Sequence, residues 1–330
     1  MKLAHRRQFL HLAAGAAALP PVSHIARAQA YPSRPITMVV AFAAGGSGDT
    51  IMRIVADHMR STLGQTIVIE NVGGAAGSIG VGRVARAAPD GYMLSYGNWA
   101  THVLNGAVYA LNYDVLKDFE PISIVSTESI AIVGRKSLPA NDLKGLIGWL
   151  KANHSKASAG TTGPGGVGHV IGVFFQQETG TKFEFVPYRG LAPAMQDMIA
   201  GQIDIMFDTA ANSMPQVRSG NVKGFAVTAQ ARLAVAPDLP TADEAGLPGF
   251  YMSNWRGLWA PKGTLADVIA KLNGAVRNAM ADQAVRKRLI ELGQELLPAE
   301  QLTPEALGTL QRAEIERWWP IIKAAGIKAQ

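Results

Sequence analysis

Hydrophobic residues recur along the chain with two alternating spacings. Short apolar runs rich in β-branched residues, the first at 36–41, predict strands, and the next segment, Ile51 to Leu63, repeats its apolar residues at helical spacing. Further strands are predicted at 65–70, 92–96, 122–125, 130–133, 157–160, 183–186, 203–207 and 224–228. Strands alternating with helices indicate parallel α/β layers, in which the loops after the strands carry function.

The last part of the chain is predicted to be helical. Beyond about residue 262 the apolar residues fall on one helix face: Leu265, Val268, Ile269, Leu272 and Val276. Thr303 and Pro304 form a cap and first-turn pair that opens a last helix toward Trp319. A chain of 330 residues usually exceeds one core, so two α/β lobes with a helical tail are expected.

The first 30 residues have the features of an export signal. A basic start precedes an Ala-rich apolar stretch from Phe9 to Leu19, and Ala28-Gln29-Ala30 is a small-x-small cleavage site before Tyr31. Arg6-Arg7 followed by Phe9-Leu10 resembles a twin-arginine signal, and an ordinary Sec signal remains the alternative. The mature chain is therefore expected in the periplasm.

Composition and charge exclude several classes of function. The chain has no cysteine, which rules out thiolate nucleophiles, iron–sulfur clusters and disulfides. Its net charge of +6 falls to +2 without the signal, which holds four bases and no acid. This balance does not favour a nucleic acid or a membrane surface as partner.

Three strand-to-helix segments are rich in glycine: 39–50 (VVAFAAGGSGDT), 71–82 (NVGGAAGSIGVG) and 159–169 (AGTTGPGGVGH). Free N–H groups and the positive dipole at a helix start favour an anion, and glycine lets the backbone approach it closely. A tight turn without a ligand is the alternative for any one segment. Three of them predict a converging site for a carboxylate or phosphate.

Other chemistries find little support. Residues 163–168 match G-x-G-x-x-G, but the following strand ends in Pro187-Tyr188-Arg189 without an acid for a ribose, so no dinucleotide cofactor is expected. The histidines after residue 30 show no metal-ligand spacing, and the chain has neither G-x-S-x-G nor H-E-x-x-H. We therefore expect no cofactor, no metal and no catalysis.

Three charged residues each leave two interpretations open. Asp49 is either the N-cap of the first helix or a ligand contact. Asp208, at the end of a predicted strand, lies either at a ligand site or in an ordinary loop. Arg256, between Trp255 and Trp259, either binds a second ligand carboxylate or points to solvent from an apolar strand.

The chain from Tyr31 onward resembles the extracytoplasmic solute-binding receptors of the tripartite tricarboxylate transporter family, the Bug-type receptors. The segments that carry the resemblance are YPSRPITMVVAFAAGGSGD (31–49), AAPDGYML (87–94), VPYRGLAPAMQDMIAGQIDIMFD (186–208), GFAVTAQAR (224–232), PTADEAGLPGF (240–250) and WRGLWAPKGT (255–264). Departures occur at Ala41 and Ala44, where the family has prolines, and at Arg256, where it has tyrosine. They concern the ligand class and leave the fold unaffected.

The resemblance implies a type II periplasmic-binding-protein fold: two α/β lobes, 31–128 with 231–330 and 129–230, joined by a hinge with the ligand cleft between them. It also implies a monomeric receptor that passes a small organic acid, aliphatic or aromatic, to membrane transporter subunits. An exported α/β enzyme and a receptor for a sensor kinase are the alternatives. The candidate ligand-binding residues are Phe42, Ala44, Gly45, Gly46, Ser47, Asp49, Gly77, Ser78, Asn98, Trp99, Thr101, Thr161, Thr162, Gly163, Gly166, His169, Asp208 and Arg256.

Overall fold

The computed structural model describes residues 31–154, 156–233 and 235–328, so the predicted export signal lies outside the described residues. The strands are β1 Ile36–Val40, β2 Ile67–Asn71, β3 Met93–Asn98, β4 Phe119–Arg135, β5 Ser158–Thr161, β6 Glu184–Pro187, β7 Ile205–Thr209, β8 Val222–Val227 and β9 Ser253–Pro261. The α-helices are α1 Ser47–Leu63, α2 Ser78–Ala85, α3 Asn105–Val108, α4 Leu143–Ala152, α5 Val167–Thr179, α6 Leu191–Ile199, α7 Ala210–Arg218, α8 Ala266–Ala281, α9 Gln283–Glu291 and α10 Pro304–Ala324. Short 3₁₀ turns at Ala75–Gly77 and Ala299–Gln301 and a π turn at Ala100–Leu104 complete the list.

The strands form one sheet in the order β2-β1-β3-β9-β4-β7-β5-β6, with β8 also paired to β4. The two outer groups, β2-β1-β3 and β7-β5-β6, are each parallel. The central strands β4 and β9 run antiparallel to their neighbours. The expectation of wholly parallel layers is therefore wrong at the centre, because the chain crosses between the two groups once in each direction.

Strand β4 is one element of 17 residues where two strands, 122–125 and 130–133, were predicted. The polar run 126–129 between them suggests a break, but its side chains are hydrogen-bonded within the fold. Ser126 Oγ donates to Gln294 Oε1 at 2.8 Å, and Ser129 Oγ donates to Glu295 Oε1 at 2.5 Å. Satisfied polar groups allow the strand to continue through a buried position.

The helical pattern of α1 is confirmed. Its apolar residues, including Ile51, Val55 and Met59, are buried in the core against β1, and the helix ends at Gly64 in the left-handed conformation, φ +67°. The predicted start of the last helix is also confirmed, since Thr303 Oγ1 accepts a hydrogen bond from Ala306 N at 3.1 Å.

The predicted apolar face of α8 is wrong at its first residue. Val268, Leu272 and Val276 are buried, but Leu265 is 66% exposed. Leu265 is the N-cap residue of the helix and has extended backbone angles, so helical spacing does not orient its side chain.

The sheet order brings the ends of the parallel strands to one region. Asn98 at the end of β3 is level with Ser126 of β4 through Arg256, and Thr209 at the end of β7 pairs with Ile130. Both outer groups therefore end toward the middle of β4, and the segments that follow their strands lie between the two halves of the sheet. Within the described residues, no helix is both long and apolar enough to cross a membrane.

Candidate functional site

Three glycine-rich loops form the candidate site: loop 1 (41–46), loop 2 (72–77) and loop 3 (162–166). In loop 1, Ala44, Gly45 and Gly46 are exposed, and Gly45 has φ +79° with no atom within 4 Å of a Cβ placed there. Gly46 is the N-cap of α1 and supplies no side-chain hydrogen bond. The first N–H groups of α1 therefore lack a side-chain acceptor at the cap, as an anion site requires.

Asp49 does not cap α1, so the interpretation as N-cap is wrong. It lies in the first turn, where its carboxylate accepts hydrogen bonds from Gly45 N at 2.9 Å, Arg53 Nε at 3.0 Å and Asn71 Nδ2 at 3.0 Å. Burial works to raise the pKa of Asp49, but these hydrogen bonds and the Arg53 charge outweigh burial and lower it. Asp49 is therefore ionised, and its hydrogen bonds connect loop 1 to Asn71 at the end of β2.

Loop 2 contacts loop 1 directly. Asn71 Nδ2 donates to the Phe42 carbonyl at 3.1 Å. Gly77, with φ +89°, is buried so closely that a Cβ would lie 2.6 Å from Thr101 Cγ2 and 3.0 Å from the Ala41 carbonyl oxygen. Only glycine fits this position, and Ser78 follows it as the first residue of α2.

The π turn after β3 contacts loop 2, since Thr101 lies beside Gly77. Thr101 N donates to Asn98 Oδ1 at 3.1 Å, and Asn98 N donates to Thr101 Oγ1 at 2.8 Å. A π turn has i→i+5 hydrogen bonds, here from Asn105 N to the Ala100 carbonyl. Helix α10 holds the turn as well, because Gln311 Nε2 donates to the His102 carbonyl at 2.8 Å and Trp319 Nε1 donates to the Val103 carbonyl at 2.9 Å.

Loop 3 belongs to the other half of the sheet. Gly163 N donates to Thr161 Oγ1 at 3.2 Å, and Gly163 is buried at φ +97° with no atom within 4 Å of a Cβ placed there. Thr162 lies beside Gly166, the N-cap of α5, which again supplies no side-chain hydrogen bond. Loop 3 therefore repeats the arrangement of loop 1.

His169 lies half-buried in the first turn of α5, and Asp208 lies fully buried within β7, so the interpretation of Asp208 as part of an ordinary loop is wrong. The His169 ring is 4.5 Å from the Phe185 ring, and burial lowers its pKa, so it is neutral near pH 7. Burial raises the pKa of Asp208 to about 7, although Ser213, Asn212 and Thr209 N donate hydrogen bonds to it. These bonds position the start of α7.

Arg256 is 3% exposed, which contradicts the solvent-facing interpretation. Its Nη2 forms a buried ion pair with Glu128 of β4 and donates to Ser47 Oγ at 3.2 Å at the start of α1. Asn254 and Gln294 donate to the two oxygens of Glu128, both at 2.8 Å. The positive charge of Arg256 is thus already paired with the Glu128 carboxylate.

Trp99 does not join the loops. Its ring lies 5.0 Å from the Trp318 ring in an edge-to-face contact with α10. It lines a cavity of about 540 Å³ bounded by β4, residues 228–233 and α10. The structure therefore groups loops 1 and 2 with the π turn in one half of the sheet, places loop 3 in the other half, and packs Trp99 against α10.

Four residues that hold the site were missed. Asn71, Asn105 and Tyr109 hydrogen-bond the backbones of the loops. Glu128 had the clearest signal in the sequence, an acid inside an apolar strand pattern. Among the described residues, no group of three His, Asp or Glu side chains is placed to hold a metal ion.

The fold, with its two groups of parallel strands joined through β4 and β9, defines a class, the type II periplasmic binding proteins. The profile described as tripartite tricarboxylate transporter family receptor matches residues 51–327, and the chain belongs to this family. A UPF0065 protein in the TAR-I ttuE-ttuC' intergenic region of Agrobacterium vitis is 40% identical over 92% of this chain and 88% of its own.

Three solved structures share the fold. The periplasmic binding protein BugD has 40% identity and a TM-score of 0.84, covering 91% of this chain and 100% of its own. MatC of Rhodopseudomonas palustris with bound malate has 38% identity and a TM-score of 0.84, covering 88% and 100%. Rpa4515 of R. palustris with adipate has 31% identity and a TM-score of 0.85, covering 91% and 100%.

Proposed function

We propose that this chain is a periplasmic solute-binding receptor that captures one small organic carboxylate between loops 1, 2 and 3 and delivers it to a tripartite tricarboxylate-type membrane transporter. The observation that carries the proposal is the pair of uncapped helix starts, one in each half of the sheet. Helices α1 and α5, one from each half of the sheet, both begin at a glycine without a side-chain cap. Their free N–H groups suit a carboxylate held from both sides.

The arginines near the loops already have carboxylate partners within the protein, which bears on how a ligand would be held. Arg256 is paired with Glu128, and Arg53 is paired with Asp49. A ligand carboxylate would therefore be held by backbone N–H groups, and a dicarboxylate would place one carboxylate at each of the two helix starts. The malate and adipate bound to two solved relatives support this class.

The proposal includes export by a cleaved signal at residues 1–30. Tyr31, the residue after the predicted cleavage site, is already part of the fold. Its hydroxyl donates to the Gly91 carbonyl at 2.7 Å, and its carbonyl accepts from Lys271 Nζ at 2.6 Å. A mature chain that starts at Tyr31 keeps both contacts.

Titration calorimetry of residues 31–330 against malate, adipate, citrate, benzoate and nicotinate tests the function. We expect one site per chain and a dicarboxylate among the ligands. At a concentration of 100 Kd the ligand should add about 2.7 kcal/mol to the free energy of unfolding. No binding by any of these acids would contradict the proposal, and conversion of an acid to a product would favour the exported enzyme.

Delivery is tested in cells of the source organism. Deletion of the gene for this chain should abolish uptake of the labelled ligand. Normal uptake with loss of a ligand-induced transcriptional response would identify a sensor-kinase receptor instead.

A further inference from the structure

A hydrogen bond from the residue that follows helix α3 connects the two halves of the site. Tyr109, directly after this helix, belongs to the half that holds loops 1 and 2. Its hydroxyl donates to the Pro164 carbonyl of loop 3 at 2.8 Å. The hydrogen bond therefore joins the segment after β3 to the segment after β5, across the space where we place the ligand.

The surfaces on the two sides of this hydrogen bond are in close contact. Gly165 has φ +76°, and a Cβ there would lie 3.0 Å from Val108 Cγ1 and 3.2 Å from Tyr109 Cε2. A side chain at position 165 would require Val108 and Tyr109 to shift by a few tenths of an ångström. The absence of a Cβ lets loop 3 approach the Tyr109 ring closely enough for the hydrogen bond.

The donor side is held firmly on its own half. Asn105 Nδ2 donates to the Ala76 carbonyl of loop 2 at 3.0 Å, which fixes the start of α3. A Cβ at Gly106 would lie 2.6 Å from Trp319 Cζ2, so α3 also packs tightly on α10. Tyr109 therefore presents its hydroxyl from a rigid support, and little conformational entropy is lost when the bond forms.

We propose that Tyr109 is a closure residue: its hydrogen bond to Pro164 favours the closed arrangement of the two halves before any ligand arrives. The consequence for affinity rests on the proposed function. The apparent Kd of a ligand that needs the closed arrangement equals its intrinsic Kd divided by the closed fraction. A neutral hydrogen bond of ordinary net strength changes such an equilibrium about two- to tenfold.

The first test measures closure without ligand. The chain has no cysteine, so Thr62→Cys on α1 and Gln177→Cys on α5, both exposed, give one spin-label pair across the halves. Tyr109→Phe should shift the distance distribution toward longer distances and lower the closed-to-open ratio about two- to tenfold. Tyr113→Phe is the matched control, because the buried Tyr113 hydroxyl has no hydrogen-bond partner among the described residues.

A second variant changes the loop 3 side of the contact between Tyr109 and Pro164. Gly165→Ala should open the ligand-free protein in the same direction, because the added Cβ crowds Val108 and Tyr109 and an L-residue is strained at φ +76°. Equal distance distributions for wild type, Tyr109→Phe and Tyr113→Phe would overturn the proposal even if Gly165→Ala opens the protein.

Calorimetry with malate then tests the effect on affinity. Tyr109→Phe should raise the Kd about two- to tenfold, and Tyr113→Phe should leave it unchanged. An unchanged Kd in Tyr109→Phe would overturn the role in affinity. If the wild-type chain binds none of the acids but Tyr109→Phe still opens the ligand-free protein, the proposed function is overturned and closure by Tyr109 is supported.

Discussion

Two glycines at the ends of α1 have nearly the same backbone conformation but different surroundings. Gly45 precedes the helix at φ +79° and Gly64 follows it at φ +67°, and neither has an atom within 4 Å of a Cβ placed there. Gly64 serves as the C-cap, with its N–H donating to the Arg60 carbonyl at 3.0 Å. Gly45 lies on the side where we place the ligand. Substitutions at these two glycines therefore distinguish the effect of backbone strain from the effect of a side chain that contacts the ligand.

Gly45→Ala and Gly64→Ala should each lower the free energy of unfolding by about 1 to 2 kcal/mol, because an L-residue is strained in the left-handed region. Only Gly45→Ala should also weaken binding of the carboxylate, since its Cβ enters the ligand space. Urea unfolding and calorimetry on both variants measure the two effects. Equal affinities would show that loop 1 is a structural turn.

At the scale of elements, the Arg256–Glu128 pair joins three of them. Glu128 lies on β4, Arg256 on β9, and Ser47 at the start of α1 accepts from the same guanidinium. Both charged side chains are nearly inaccessible, with 4% and 0% of the side chain exposed. A buried charge that loses its partner is costly, so each residue depends on the other.

Arg256→Met should therefore destabilise the protein by about 3 to 5 kcal/mol. Adding Glu128→Gln to that variant should recover much of the loss, since the uncompensated charge disappears. Arg232→Met is the control, because its ion pair with Glu244 is about half exposed and should contribute no more than about 1 kcal/mol. Urea denaturation of the wild type, Arg256→Met, the double variant and Arg232→Met measures these differences in the free energy of unfolding. A stable Arg256→Met single variant would refute a structural role for the pair.

The same elements show how far local pattern predicts structure. The apolar spacing of α1 and the Thr303-Pro304 start of α10 were read correctly, because side-chain burial and capping act within a few residues. The polar run 126–129 misled the strand prediction, since Gln294 and Glu295, which satisfy it, are more than 160 residues away.

At the scale of the molecule, the two halves of the sheet repeat one arrangement around β4. In each half the first strand lies between the second and the third, as β2-β1-β3 and β6-β5-β7. No repeat is visible in the sequence, so the correspondence resides in the backbone alone. We propose that these halves are the lobes predicted at 31–128 with 231–330 and at 129–230, and that they move about β4 and β9.

Saturating ligand should shift these lobes toward the closed arrangement, because a ligand held by both lobes binds that arrangement more tightly. Small-angle X-ray scattering of residues 31–330 should then show a smaller radius of gyration with the best-binding acid than without it. An acid that does not bind in the calorimeter is the control and should leave the curve unchanged. Identical curves with and without a saturating ligand would contradict lobe movement.

The sequence by itself determined the local features of this protein. Apolar spacing specified most strands and helices, and the glycine clusters marked loops 1, 2 and 3, because glycine at positive φ and an uncapped helix start are properties of a few neighbouring residues. Tertiary structure alone decided which residues meet across the chain. Glu128 meets Arg256, Tyr109 meets Pro164 and Trp99 meets Trp318 of α10. These contacts depend on how distant strands pair, and periodicity carries no information about that pairing.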